Sequence, residues 1–110
     1  SRRVRNAAIS YENSSLLIEK TKQDIESEIM QLFNMYNHNL RLIDFEEENR
    51  QSAYMNLDAA MEKYRLGSLS GIEFRDYQLS YLDASDRKLR AIYQAKVLEL
   101  TLKLLAGDLF

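Results

Sequence analysis

The amino-acid sequence predicts an all-α protein, a long antiparallel helical hairpin whose two arms differ in length. The 110 residues include no Pro and three Gly, so few positions interrupt a helix. Apolar residues recur at alternating steps of three and four along most of the chain, which is the pattern of a coiled-coil helix. One short segment, residues 66–70, carries the signals that end one helix and begin another.

The first helix is predicted over residues 3–65. At 1.5 Å per residue it would be roughly 95 Å long. Two successive steps of four, between Leu32 and Leu40, predict a stutter that locally unwinds the supercoil near Tyr36. The expected apolar seam passes through Val4, Ala8, Tyr11, Ser15, Ile18, Lys22, Ile25, Ile29, Leu32, Tyr36, Leu40, Ile43, Glu47, Arg50, Tyr54, Leu57, Met61 and Tyr64.

A turn between the helices is predicted by three signals that agree. Gly67 can take the left-handed conformation that closes a helix, where a side chain would be strained. Ser70 and Glu73 have the spacing of a capping box, in which each side chain accepts a hydrogen bond from an open backbone N–H. Leu69 and Phe74 stand where a hydrophobic staple would fix the direction of the second helix.

The second helix is predicted over residues 71–106, with Gly107 as its C-cap and residues 107–110 as the start of a connection. Its seam is expected to pass through Phe74, Tyr77, Tyr81, Ala84, Lys88, Ala91, Ala95, Leu98, Leu102 and Leu105. A second apolar stripe consists of Ile72, Leu79, Leu82, Leu89, Ile92 and Leu100. Two stripes predict that this helix has neighbours on two sides.

The arms are unequal, since a return helix of roughly 50 Å can cover only about residues 31–65 of the first helix. The seam from Val4 to Ile29 therefore has no partner within the chain. An isolated helix is marginally stable in water, so another helix must pack on this arm. We expect the isolated chain to self-associate through antiparallel or end-overlapping dimers.

Composition argues against several classes of function. The net charge is −2 and the pI is near 5.4, so nucleic acid is an unfavourable partner, although Arg2, Arg3 and Arg5 make the N-terminus basic. The absence of Cys excludes a disulfide framework and a thiolate metal site. The sequence contains no apolar run of about 18 residues, so it does not predict a membrane span. Because the chain starts with Ser, we interpret it as an excised or processed piece.

The residue pattern does not indicate catalysis, a cofactor site or a metal site. His38 is the single histidine, and no second His, Cys or nucleophile stands at a catalytic or metal-ligand spacing from it. Glu46, Glu47 and Glu48 are consecutive, so on a helix they point in three directions and cannot converge on one ion. The seven tyrosines fall at seam spacing and are interpreted as packing residues with a hydroxyl at the wet rim.

A resemblance to a known family is carried by residues 56–67, Asn-Leu-Asp-Ala-Ala-Met-Glu-Lys-Tyr-Arg-Leu-Gly, and by several later positions. Those positions are Ser70, Glu73, Asp76, Ala84, Ala91, Tyr93, Leu100 and the run Gly107-Asp108-Leu109. The chain resembles the second periplasmic hairpin of the TolC family of outer-membrane efflux proteins. In that family a long helix turns at a Tyr-x-x-Gly tip, and a half-length helix returns to an equatorial girdle near Gly-x-Leu. The resemblance is strong from residue 56 to 109 and only in pattern from 4 to 51.

The resemblance implies that the chain is a fragment of an α-helical barrel in the periplasm. In the family, three subunits each contribute two hairpins, and twelve helices form a tunnel beneath a membrane β-barrel. The tunnel conducts exported molecules in efflux or type I secretion, with no catalysis and no cofactor. The sequence does not specify the exported substrate, which in the family is chosen by an inner-membrane pump.

The resemblance also implies two sets of functional residues. In the family the tip contacts a periplasmic adaptor (membrane fusion) protein, and that role falls here on Tyr64, Leu66, Gly67, Ser68, Leu69 and Ser70. Acidic positions just past the tip ring the closed tunnel entrance, and they match Glu73 and Asp76. The chain departs from the family in having Leu69 where some members carry a basic residue, and Arg75 where an apolar residue is common.

Two questions stay open at the level of sequence. Four charged residues interrupt the seams, namely Lys22, Glu47, Arg50 and Lys88. They are either snorkelling side chains and local ion pairs, or charges turned toward a water-filled tunnel. The alternative function is structural, a coiled-coil hairpin that dimerises into a four-helix bundle scaffold. A parent gene with a similar upstream hairpin and strand segments before Ser1 would favour the channel.

Overall fold

The chain folds into two helices that form one long antiparallel hairpin. The computed structural model describes residues 1–109, and the side chains of residues 1–107. Helix α1 spans Arg2–Arg65 and helix α2 spans Gly71–Leu109, with 64 and 39 residues, and no strand occurs within residues 1–109. The hairpin is a rod of 97 × 24 × 15 Å. The predicted all-α hairpin with unequal arms is therefore confirmed.

The ends of the helices differ in detail from the prediction. Helix α1 begins at Arg2, because Ser1 caps it and its hydroxyl accepts a hydrogen bond from the Val4 N–H at 3.4 Å. Helix α2 continues through Gly107 to Leu109, so the predicted C-cap at Gly107 is wrong. A glycine inside a helix costs only about 1 kcal/mol, and Gly107 lacks the positive φ of a C-cap. The connection predicted over residues 107–110 includes residue 110, which lies outside the described residues.

The α2 side of the interface follows the predicted seam. Ala84, Ala91 and Ala95 are its most deeply buried residues, at 1%, 2% and 5% exposure. Larger side chains at the flanking seam positions are half-buried, among them Tyr81, Leu98, Leu102 and Leu105. Small residues at the centre of a helix contact allow the two backbones to approach closely.

The α1 side of the interface differs from the predicted seam in its middle portion. Leu40, Tyr54 and Met61 are exposed, and the residue just before each of them is buried or half-buried instead. The seam keeps its alternating steps without interruption, so the predicted stutter near Tyr36 is wrong. At these three steps the prediction chose the larger side chain, whereas the fold places the smaller Asn39, Ala53 and Ala60 in the interface. The observed seam passes through Ile29, Leu32, Tyr36, Asn39, Ile43, Glu46, Arg50, Ala53, Leu57 and Ala60.

Beyond the overlap with α2, helix α1 projects as a single helix. All of residues 1–28 are exposed, and Ile29 is the first half-buried residue, so no side chain among residues 1–107 covers this arm. The second apolar stripe of α2 is exposed as well. No helix within residues 1–109 combines the length and the apolar character needed to cross a membrane.

Ala60 and Ala59 provide a matched test of the close helix contact. Ala60 is 3% exposed, whereas Ala59 is exposed beside it. We expect Ala60→Leu to destabilise the hairpin by about 1–3 kcal/mol, because the larger side chain forces the helices apart. The same change at Ala59 should alter the free energy of unfolding by less than about 0.5 kcal/mol. Urea unfolding at one protein concentration measures both. Equal effects at the two positions would contradict the assigned seam.

Candidate functional site: the hairpin tip and an interhelical charge cluster

Helix α1 ends in a Schellman motif at the tip. Gly67 has a φ of +79°, and its N–H donates to the Tyr64 carbonyl at 3.0 Å. The Ser68 N–H donates to the Lys63 carbonyl at 2.9 Å, and the Ser68 hydroxyl donates to the same oxygen at 3.1 Å. These bonds satisfy carbonyls that the end of a helix leaves open. The predicted role of Gly67 in closing α1 is confirmed.

Helix α2 begins with half of the predicted capping box. The Ser70 hydroxyl accepts a hydrogen bond from the Glu73 N–H at 3.1 Å, and the Ser70 carbonyl accepts from the Phe74 N–H at 2.9 Å. Within residues 1–109, the Glu73 carboxylate does not bond back to the Ser70 N–H. Glu73 still lies in the first turn of α2, where the helix dipole favours a negative charge.

An aromatic pair joins the two helices just inside the tip. The rings of Tyr64 and Phe74 are stacked, with centroids 4.8 Å apart and planes inclined by 10°. The Tyr64 ring also borders Gly71, since a Cβ added there would lie 4.0 Å from the Tyr64 Cε2. Phe74 was predicted to pack on Leu69, and its stacking on Tyr64 was not predicted. The available signal was the placement of two aromatic residues on either side of the turn.

The surface of the tip consists of one prominent apolar side chain and small polar residues. Leu66 is 74% exposed, Gly67, Ser68 and Ser70 are exposed, and Leu69 is half-buried. Exposed small residues allow another backbone to approach closely, and an exposed Leu can enter an apolar pocket. The structure thus gathers the predicted docking residues at one end of the rod.

Glu73 and Asp76, the predicted entrance residues, lie on the first turns of α2. Both are exposed, and no basic side chain within residues 1–107 pairs with either carboxylate. An unpaired exposed carboxylate can face water or a neighbouring molecule without the penalty of burying a charge. Their assignment to a tunnel entrance stays a prediction.

A second feature lies in the middle of the helix overlap, an interhelical charge cluster of Glu46, Glu47, Arg50, Asp83, Arg87 and Lys88. Within it, Glu47 holds Arg50 in a two-pronged pair, with Arg50 Nη2 to Glu47 Oε1 at 2.7 Å and Arg50 Nε to Glu47 Oε2 at 2.8 Å. Lys88 Nζ, on α2, approaches Glu47 Oε2 at 2.6 Å. Arg50 also reaches the Tyr81 hydroxyl at 3.4 Å.

The other half of the charge cluster is centred on Arg87. Arg87 Nε lies 3.0 Å from Oε2 of the buried Glu46, and Arg87 Nη1 pairs with Asp83 on its own helix. Three acidic and three basic side chains thus balance within the charge cluster. In the part of the chain whose side chains are described, no fully buried polar side-chain atom lacks a hydrogen bond. The charge cluster is therefore a satisfied polar layer within the seam.

Contacts within the charge cluster favour the ionised forms of Glu47, Arg50 and Arg87. Hydrogen bonds from Arg50 and then Lys88 lower the pKa of the Glu47 carboxyl well below its usual range. The Glu47 carboxylate in turn raises the pKa of Arg50, and the hydrogen bond to Glu46 raises the pKa of Arg87. Groups held so firmly in one protonation state are suited to fixing a structure and unsuited to transferring protons at neutral pH.

The ion-pair interpretation is confirmed for Glu47, Arg50 and Lys88, while Lys22 lies exposed on the free arm. Whether any of them borders a tunnel stays a prediction. Sequence reasoning missed the contact of Glu46 with Arg87, because the two residues are 41 positions apart and lie on different helices. His38 is exposed, and no three His, Cys, Asp or Glu side chains within residues 1–107 lie close enough to hold a metal ion.

No protein-family model, curated protein or solved structure matches the chain. The resemblance to the TolC family therefore rests on the residues of this sequence and on the shape of the hairpin.

Gly67 offers a direct test of the tip. A Cβ at Gly67 would meet no atom within 4 Å, so a substitution there acts only through the positive φ. We expect Gly67→Ala to destabilise the hairpin by about 1 kcal/mol. Gly67→Asn should cost less, because Asn tolerates the left-handed conformation. Urea unfolding checks the order, and a more stable Ala variant would contradict the assigned conformation.

The charge cluster predicts how stability depends on pH. Because the folded-state pKa of Glu47 is lowered from 4.5, its contribution is present above about pH 4.5 and is lost as pH falls through the folded value. The melting temperature of the native chain should therefore fall on acidification. Glu47→Gln should have a lower melting temperature at pH 7 and should lose less of it when the pH is lowered. Glu48→Gln is the control, since Glu48 is exposed and pairs with no basic side chain within residues 1–107. Identical pH profiles for both variants would contradict the role of Glu47.

Proposed function

We propose that this chain is a periplasmic hairpin of an outer-membrane efflux or type I secretion channel similar to TolC, that it forms part of the tunnel wall, and that its tip docks to a periplasmic adaptor protein. The single observation that carries the proposal is the length mismatch between α1 and α2, with a coiled-coil seam that continues onto the uncovered arm. The resemblance of residues 56–109 supplies the identity of the assembly.

The exposed apolar surfaces support a place in a wall of helices. A helix within a barrel has a neighbour on each side, so it needs two apolar stripes. On α2 one stripe packs against α1, and the second stripe, which includes Leu79, Leu82 and Leu89, is exposed. On α1 the arm of residues 1–28 has the same seam spacing, and none of the side chains described for residues 1–107 covers it. Neighbouring hairpins of a channel would cover both surfaces.

The geometry of the tip supports a docking role. The Schellman motif and the Tyr64–Phe74 stack hold the turn in one conformation, so little conformational entropy would be lost when a partner binds. Leu66 would serve as the apolar anchor, and the exposed Gly67 and Ser68 would let the tip of an adaptor hairpin approach the backbone. Glu73 and Asp76 would line the entrance, where carboxylates from several subunits attract cations and repel one another.

A cross-linking experiment in the cells that encode the chain tests the proposal. We expect a photo-reactive residue at Leu66 or Ser68 of the native protein to form an adduct with a periplasmic adaptor, identified by mass spectrometry. The same residue at Tyr93, which is exposed far from the tip, should form no adaptor adduct. Gly67→Asn should reduce the tip adduct roughly tenfold, the effect of about 1.4 kcal/mol in binding, and should reduce export in parallel.

The scaffold alternative predicts a different outcome. A hairpin that only builds a four-helix bundle needs its seam but not its tip, so Gly67→Asn would leave export unchanged and no adaptor would be captured at Leu66. Both results together would reject the docking role. The melting temperature of Gly67→Asn is measured alongside, so that a loss of fold is distinguished from a loss of docking.

A further inference from the structure

The face of α2 that points away from α1 carries a further seam, which we call the outer seam. Its six positions follow one another at alternating steps of three and four, and two of them are charged. They are Ile72, Arg75, Leu79, Leu82, Asp86 and Leu89. The four apolar side chains among them are 53–79% exposed, so no side chain among residues 1–107 covers them. A seam of this spacing is stabilised when a second helix packs on it.

The outer seam has the same spacing in either direction along the chain. Its steps are three, four, three, four and three, so an antiparallel copy places each position opposite another. The opposed pairs are Ile72 with Leu89, Arg75 with Asp86 and Leu79 with Leu82, and each pair occurs twice. Opposite charges thus meet at the places where charged residues interrupt the apolar spacing.

We propose that a second copy of this chain docks antiparallel on the outer seam of α2, with a two-fold axis between Ser80 and Tyr81. The two α2 helices lie at the centre of the dimer, and each α1 stays packed on the far side of its own α2. Residue 90 of one copy is level with residue 71 of the other, where α2 begins. Residues 91–109 of each α2 extend past the tip of the other copy. The contact therefore spans residues 71–90 and involves neither end of the chain.

The two charged positions select this register and this orientation. A parallel dimer in register would place Arg75 beside Arg75 and Asp86 beside Asp86, which is unfavourable. An antiparallel register shifted by one heptad would place either Asp86 opposite Leu82 or Arg75 opposite Leu79. Each of these shifts leaves a charge unpaired within an apolar layer.

The contacts within the hairpin leave both charges available to a second copy. No acidic side chain within residues 1–107 pairs with Arg75. Asp86 Oδ2 pairs with Arg90 Nη2 at 2.6 Å, which leaves the other carboxylate oxygen of Asp86 open. Arg75 of a second copy can donate to that oxygen, while Arg90 holds the carboxylate in place.

The outward side of α1 is a poorer partner for the outer seam than a second α2. Along the overlap with α2 it carries Arg41, Asp44 and Glu48, which are all exposed. If α1 of a second copy lay on the outer seam, these charged side chains would face Leu79 and Leu82 and lose water without gaining a partner. A second α2 presents leucines to those leucines instead.

Positions beside the outer seam are polar and contribute little to the dimer. On one flank Gln78 lies beside Ser85 of the second copy, and the amide and the hydroxyl can form a hydrogen bond. On the other flank Asp76 lies beside Asp83 of the second copy, and the two carboxylates repel. Arg87, which pairs with Asp83 in the hairpin, offsets part of that repulsion.

The dimer is separate from the proposed channel. An antiparallel pair of hairpins points its two tips in opposite directions, whereas the hairpins of a channel wall all point the same way. The proposal therefore concerns the chain on its own and does not rest on the proposed function. Four apolar layers and two ion pairs form a short interface, so we expect a reversible, concentration-dependent dimer.

Distances between spin labels test the orientation. The sequence contains no Cys, and positions 73, 80 and 94 of α2 are exposed and lie outside the outer seam. Labels are attached singly to Glu73→Cys, Ser80→Cys and Gln94→Cys. Their axial separation across the dimer should be about 2 Å at position 80, about 22 Å at position 73 and about 40 Å at position 94. Pulsed electron paramagnetic resonance should give the shortest distance at position 80. Equal distances at all three positions, or a shortest distance elsewhere, would overturn the proposal.

Charge reversal tests the register. Arg75→Glu or Asp86→Arg alone should raise the dimer dissociation constant roughly tenfold, because like charges then face each other twice, and the double variant should restore it. Arg41→Glu changes the net charge as Arg75→Glu does, but on the outward side of α1, and should have no effect. Analytical ultracentrifugation measures the constant in chains that also carry Ile18→Asp, which blocks association through the free arm. Failure of the double variant to recover would overturn the assigned register.

Disruption of the outer seam tests which surface is used. Leu79→Asp should abolish the label distance at position 80, because it places a charge in both central layers of the dimer. Ile18→Asp, on the free arm of α1, should leave that distance unchanged. The opposite result, or a native interface that gives no distance at position 80 at any concentration, would overturn the proposal. Leu79 is exposed, so urea unfolding of the α1–α2 contact should show an intact hairpin in both variants.

Discussion

The difference in length between the helices governs the rest of this structure. Helix α1 has 64 residues and α2 has 39, and a coiled-coil helix is stable only where another helix covers its apolar seam. Near the tip the seam is covered by α2, which buries alanines and half-buries larger side chains. Beyond Ile29 the same spacing continues on an arm that is exposed along residues 1–28. The proposed tunnel wall and the expected self-association of the isolated chain are two ways of meeting this one requirement.

Within the overlap, register is set by two kinds of contact. Ala60, Ala84, Ala91 and Ala95 give a smooth contact that, by itself, would tolerate sliding of one helix along the other. The interhelical charge cluster removes that freedom, because a shift of one turn would separate Glu46 from Arg87 and Glu47 from Lys88 and leave charges partly buried without partners. The correct register in turn brings Tyr64 against Phe74 and so supports the conformation of the tip.

Most of the fold was predictable from sequence because its signals are local. Gly67, Ser70 and the spacing of the apolar residues act within one or two turns of helix, and each indicated the observed element. The α1 seam was less predictable, because burial of Glu46 in place of Glu47 depends on Arg87, a partner from α2. Glu46 and Arg87 are 41 positions apart, and the Tyr64–Phe74 stack also spans the turn. Hydropathy along one helix contains no information about such pairs.

The uncovered arm also has a mechanical consequence. Over the overlap, two helices joined by apolar contacts and ion pairs resist bending together, whereas residues 1–28 have only the flexural stiffness of one helix. A sideways force on the rod will therefore concentrate its curvature close to Ile29, and the tip will move as a rigid lever. A second helix packed along the arm, from another copy of the chain or from another protein, would stiffen it and reduce the bending near Ile29.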